Sequence, residues 1–197
     1  ETGIVRHVFS QGDPMGIHYH GFGKPTAEDL DHDFLWRVKR ELPKPGWIAV
    51  FDRSHYEDVV MPHVYGTYPE DVWRARYDQI NDFERELAAS GCAILKIFLV
   101  VSQEEQKKHF LGRLDDPTKF WKFDISDLEA RDRWDEYMFA WQEVFEKTST
   151  AAAPWYLVPA DNRWYSRAVV SELLRTTLKN MNMTWPCLLY TSDAADD

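Results

Sequence analysis

The apolar run Trp47-Ile48-Ala49-Val50-Phe51 stops abruptly at Asp52-Arg53-Ser54. Polar residues just beyond a buried strand are where a parallel sheet collects its ligands. A carboxylate there can hold Mg²⁺, and an adjacent guanidinium can neutralise phosphate oxygens. An isolated Asp-Arg pair also caps helices and decorates surfaces, so the motif alone is weak. A second group of cations, Arg113, Lys119 and Lys122, is interleaved with Pro117, Phe120 and Trp121 in a stretch that breaks both the helical and the strand period. A basic segment of that kind can close over a transferring phosphoryl group and exclude water, and it can equally be a solvated loop. Arg163 and Arg167 stand four residues apart, so a helix would present both on one face, either to phosphate or to solvent. Lys24 follows a further short strand.

Other residues with chemical potential read more plainly. His18 and His20 share one face of a strand at a metal-binding spacing, but two ligands without a third read as packing or surface residues. His55 orients a loop as readily as it moves a proton, since phosphoryl transfer needs little base catalysis. Cys92 has no basic neighbour that would make it a thiolate and reads as packing.

The elements that must position these groups follow from periodicity. Short apolar runs alternate with amphipathic segments, the pattern of βαβ units around a parallel sheet. Strands are predicted over 17–22, 47–51 (fully buried), 93–101 and 155–158, and a first helix over 4–9. Thr26 caps a helix running to about Glu41, and Pro69 begins one running to about Ser90. Ser102 with Glu105 opens another that ends near Arg113, and a last helix runs to about Met183. Trp134, Tyr137, Met138 and Trp141 recur at helical spacing and read as a buried helix face.

Composition sets the outer limits. The 197 residues, 44% hydrophobic and 28% charged, suit one globular domain. A net charge of -10 argues against a general nucleic-acid binder, which needs a basic face to displace counterions. No apolar run is long enough for a membrane span, and two distant cysteines form neither a zinc pattern nor a disulfide framework; a cytoplasmic setting is the default expectation.

Four strings then change the odds: GFGKPTAEDLDHDFLWR (Gly21 to Arg37), FDRSHYEDV (Phe51 to Val59), RLDDPTKFWKF (Arg113 to Phe123) and APWYLVPADNRWYSR (Ala153 to Arg167). Together they resemble the second family of polyphosphate kinases over essentially residues 1–186, the stretch expected to form the catalytic domain. The resemblance implies an α/β, P-loop-kinase-like three-layer fold, with a parallel sheet, helices on both faces and a helical lid at about 114–133. It implies a Mg²⁺-dependent phosphotransferase working between inorganic polyphosphate and nucleoside mono- or diphosphates, with triphosphate formed or consumed, in a homo-oligomer. Carried over, the Asp-Arg-Ser-x-Tyr string is a Walker B element and Asp52 is the metal-associated acid. Arg53 and Arg113 stabilise charge on the moving group, and Lys24, Arg37, Lys119, Lys122, Arg163 and Arg167 bind substrate.

One departure stands out. The family's glycine-rich phosphate loop ends in a lysine where an ungapped match places Glu1, which leads us to expect an N-terminally truncated, poorly stable and nearly inactive chain. The last eleven residues, Cys187 to Asp197, resemble a translated sequencing adapter and are expected to be a non-native tail. An ATP-dependent kinase of a small phosphorylated metabolite, or a non-catalytic binder of nucleotide or polyphosphate, remain alternatives.

Overall fold

The computed structural model describes residues 2–10, 12–122 and 125–184; Glu1 and the adapter-like tail lie outside the described residues. The four apolar runs become β1 (Ile17–Gly21), β2 (Ile48–Asp52), β3 (Lys96–Val100) and β4 (Trp155–Pro159). The helices are α1 (Thr2–Phe9), α2 (Ala27–Leu30), α3 (Trp36–Arg40), α4 (Glu57–Tyr65), α5 (Glu70–Ala89), α6 (Gln103–Leu114), α7 (Ile125–Asp132), α8 (Trp134–Thr148) and α9 (Arg163–Asn180). The fold is mixed α/β with parallel strands.

Where one open sheet was expected, the described strands pair as two parallel ribbons, β1 with β2 and β3 with β4. The chain crosses from β2 to β3 over two helices, α4 and α5. Helix α1 packs on both β2 and α9.

Three further expectations change. The helix from Thr26 to Glu41 is broken in two. Thr26 and Asp29 form a capping box that starts α2, but Asp33 Oδ1 accepts the Leu35 amide at 3.0 Å, and this local bond competes with helical pairing until α3 begins. Strand β2 is fully buried only at Val50. Helix α4 has no stated counterpart among the predicted elements; it holds Pro62 inside it and buries Val59, Val60 and Val64.

Those valines meet Trp73, Tyr77, Ile80 and Phe83 of α5 and Ala140 and Val144 of α8 in the main core. The aromatic stripe of α8 is only partly as read: Tyr137, Trp141 and Phe145 pack on the core, whereas Met138 is exposed, one residue and about 100° round from Tyr137. Helix α4 ends at Gly66, whose φ of 63° is left-handed. Replacing it with alanine meets open space but adds a Cβ in that conformation, so a urea melt of Gly66→Ala should show a loss of about 1 kcal/mol. Among the described residues no helix is long and apolar enough to cross a membrane.

Candidate active site

Parallel pairing sets the carboxyl ends of each ribbon side by side. In the first ribbon Gly21 lies opposite Asp52, and the Phe22 amide donates to the Asp52 carbonyl at 3.0 Å. The loop carrying Lys24 therefore leaves the sheet beside the Asp52 side chain. That carboxylate is half-buried, and Tyr19 Oη donates to its Oδ2 at 3.0 Å. The next residue, Arg53, adopts φ of 64°, a left-handed conformation uncommon for a side chain of its size. The turn swings the exposed Arg53 outward, with Nε 3.7 Å from Glu57 Oε1, and carries the chain into α4. Strain at a strand end beside a carboxylate is typical of a functional site.

Arg37 is placed differently from Lys24. Its guanidinium donates to the Gly23 carbonyl and to Asp58 Oδ2, each at 2.9 Å, and lies 5.5 Å from the Phe22 ring centre. It thus ties the exposed Lys24 loop to α4, a positioning arrangement that the string match alone did not disclose.

In the second ribbon Val100 lies opposite Pro159, and Asp161 Oδ1 accepts the Ser102 amide at 2.8 Å. This backbone hydrogen bond, aided by the Ser102 side chain, holds the Asp161 carboxyl below its ordinary range. Ser102 Oγ in turn accepts the Glu105 amide and caps α6. Arg163, at the first turn of α9, is exposed and 3.5 Å from His109. Arg167, one turn on, is half-buried, and its Nε finds no hydrogen-bond partner among the described residues.

Arg113 is not at a strand end. It lies at the far end of α6, about 16 Å along the axis from Ser102, with its guanidinium 5.4 Å from the Phe110 ring centre. Lys119 and Lys122 fall on a 3-10 turn, residues Pro117–Lys122, that packs against α6; their side chains lie outside the described residues. Between residues 101 and 133 none of the described side chains is buried.

Behind the Asp52 turn is a polar network that sequence reading missed. Lys96 Nζ donates to Glu84 Oε2 at 2.6 Å, to the Thr148 carbonyl at 2.7 Å and to Tyr56 Oη at 2.9 Å. Tyr56 Oη donates to Glu84 Oε1 at 2.6 Å, and His55 Nε2 lies 3.6 Å from the same oxygen. Burial pushes the Glu84 carboxyl up, but contacts from His55, Lys96 and Tyr56 outweigh that and hold it below the usual carboxylate range. Burial drives Lys96 down and Tyr56 up. The signal was present: Trp73, Tyr77, Ile80 and Glu84 share one stripe of α5, and a glutamate on an apolar stripe calls for a buried cation.

Comparison with known proteins gives these strand ends a context. The family model described as polyphosphate kinase 2 matches residues 1–186. The AMP/ADP-polyphosphate phosphotransferase of Meiothermus ruber is 44% identical over 186 residues, 94% of this chain and 70% of that protein. The ADP-polyphosphate phosphotransferase of Rhodopseudomonas palustris is 40% identical, over 94% of this chain and 68% of its own. The crystal structure of polyphosphate kinase 2 from Arthrobacter aurescens superposes with a TM-score of 0.91 at 46% identity, covering 94% of this chain and 66% of that one. The chain thus spans about two thirds of the length of these relatives. A match of this breadth makes the chain a member of the polyphosphate kinase 2 family.

Proposed function

We propose that the chain acts as a phosphotransferase between inorganic polyphosphate and a nucleoside mono- or diphosphate. The observation that carries this reading is the Gly21–Asp52 register, which sets a carboxylate, the Lys24 loop and Arg53 at one strand end in a chain 44% identical to an AMP/ADP-polyphosphate phosphotransferase. Both reactants are polyanions, so the principal barrier the protein must lower is their mutual repulsion, and fixed cations lower it without reorganising.

Asp52 is the Walker B acid in this reading. One carboxylate with hard oxygen donors fits magnesium, which commonly takes one or two carboxylates and completes its shell with phosphate and water. Bound there, the ion would neutralise charge on the phosphates. Arg53 and Arg113 face the transferring group, and Lys24, Lys119, Lys122, Arg163 and Arg167 hold the chains of phosphate. Arg37 serves substrate binding through the Lys24 loop it anchors.

The strand ribbons and their helices form a three-layer arrangement, and segment 114–133 is a lid. The absence of buried side chains among the described residues from 101 to 133 supports a unit that can swing, since few buried contacts hold it. Arg131 ties its later part back to the start of α6, donating to the Gln103 carbonyl at 2.8 Å. Movement of α6 together with the lid it packs against brings Arg113 to the reacting phosphate. A homo-oligomer belongs to the same proposal; exposed Leu157, Trp164 and Tyr165 offer apolar surface for it, and light scattering tests it.

The test supplies polyphosphate as the only phosphoryl donor, with AMP, ADP, GMP and GDP in turn, and follows triphosphate and diphosphate by ³¹P NMR. It is run on the chain alone and on the chain grafted into the Meiothermus ruber protein in place of the matched segment. Polyphosphate-dependent product is expected in the graft; product with ATP as donor and none with polyphosphate would favour a metabolite kinase. In the active form, Arg113→Ala should lose about 2–4 kcal/mol of transition-state stabilisation in kcat/KM, and a wild-type rate would remove Arg113 from the mechanism.

A further inference from the structure

We propose that His18, His20 and Glu41 form a binding site for a divalent cation of the zinc class, separate from the magnesium of the phosphoryl-transfer reaction. Nε2 of His18 lies 2.7 Å and Nδ1 of His20 lies 3.2 Å from the same Glu41 oxygen, Oε2. The three ligand atoms all fall within 4.8 Å of one another. Tetrahedral zinc with bonds near 2.1 Å separates its ligand atoms by about 3.4 Å. The cluster therefore needs to open or close by only about 1 Å, within the reach of small side-chain rotations.

The backbone explains why these three groups meet. His18 and His20 are two apart on β1, so strand alternation puts both on one face. The broken helix is what supplies the third ligand: α3 ends at Arg40, and its C-cap residue Glu41 returns to the strand. Glu41 offers a carboxylate oxygen and the two histidines offer ring nitrogens, the donor types zinc takes when the imidazoles are neutral. Arg40, the residue before Glu41, has its guanidinium 4.7 Å from the Trp36 ring centre and 4.0 Å from Glu28.

Chemistry of the donor set selects the metal. Two imidazoles and one carboxylate suit zinc, nickel or copper and not magnesium, which prefers an all-oxygen shell. The side chains are 42%, 35% and 23% exposed, so the open side can keep a water in the fourth position. Occupancy would staple β1 to the end of α3 and close the base of the 21–41 segment, which carries Lys24 and Arg37. This inference does not depend on the activity proposed above.

The full chain, stripped with chelator, is dialysed against zinc in a large excess of magnesium, and bound zinc is counted by atomic emission. Wild type should hold about one equivalent more than His18→Asn/His20→Asn, and its melting temperature should rise with zinc where the variant's does not. Glu41→Gln, which keeps the shape and an acceptor but loses the charge, should bind at least tenfold more weakly. Equal uptake by wild type and the double variant would overturn the site, leaving a hydrogen-bonded ion-pair cluster. Should the double variant fail to fold by circular dichroism, cobalt(II) bound to wild type decides: an intense visible band of tetrahedral nitrogen-oxygen coordination supports the site, and the spectrum of hydrated cobalt overturns it.

Discussion

Asp52→Asn should lower polyphosphate-dependent turnover in the active form by about 10³-fold, equivalent to about 4 kcal/mol, with little change in stability. The asymmetry comes from what the carboxylate does in each role. Structurally, Oδ2 accepts a hydrogen bond from Tyr19 Oη, and an asparagine oxygen accepts that bond equally well. The backbone carbonyl of the residue, which receives the Phe22 amide, is untouched. Electrostatically, the substitution removes the charge that would hold a magnesium ion against two polyanions, and a neutral amide does not replace it. The half-saturating magnesium concentration should therefore rise along with the fall in kcat, while a urea melt moves by less than about 1 kcal/mol. A rate within tenfold of wild type, at unchanged magnesium dependence, would take Asp52 out of the metal role.

Strand ends were the most legible part of the molecule. Val50 and its neighbours form a short apolar run bounded by Asp52-Arg53-Ser54, and the strand found there, Ile48–Asp52, is shifted by one residue from the 47–51 expected. The α5 helix was equally plain, because twenty residues of amphipathic period outweigh any local competitor. What failed were features decided by single contacts. The break between α2 and α3 turns on Asp33 choosing the Leu35 amide, and α4 survives Pro62 because three valines bury around it. Periodicity averages over such choices and cannot see them.

Site residues divide along the same line. Asp52 lies opposite Gly21 because strand register requires it, so chain order and parallel pairing were enough to start the Lys24 loop at the Asp52 strand end. Arg37 belongs to one of the strings that resemble the family, yet its bonds to Gly23 and Asp58 depend on where a turn ends, which periodicity does not show. His18 and His20 were set aside for want of a third ligand. That ligand, Glu41, lies 21 and more residues away and caps the end of α3, so only the packing of that helix end against β1 brings it to the two histidines.

Lys96→Met should destabilise the fold by about 3–5 kcal/mol in a urea melt, because it leaves Glu84 as an uncompensated buried charge. Both partners are nearly inaccessible, with Lys96 6% and Glu84 3% exposed, so solvent screens little of the loss. The direction of the pH response separates this cause from lost packing. In the wild-type protein the Glu84 carboxyl is held below its unfolded value, so its contribution is fully present above the ordinary carboxylate range, and is lost as pH falls through the depressed folded value. Without Lys96, burial dominates and raises the folded value above the unfolded one; the variant then gains stability as it takes up a proton in acid and loses it as pH rises toward neutrality. The gap between the two proteins should therefore widen from acid to neutral pH. A gap that stays constant with pH would point to the missing aliphatic volume. Adding Glu84→Gln to Lys96→Met should recover at least half of the loss, since the amide carries no charge to bury and can still accept from Tyr56. Because His55 and Tyr56 in this network directly follow the Asp52-Arg53-Ser54 turn, the single variant should also blunt turnover, and the double variant should restore turnover in step with stability.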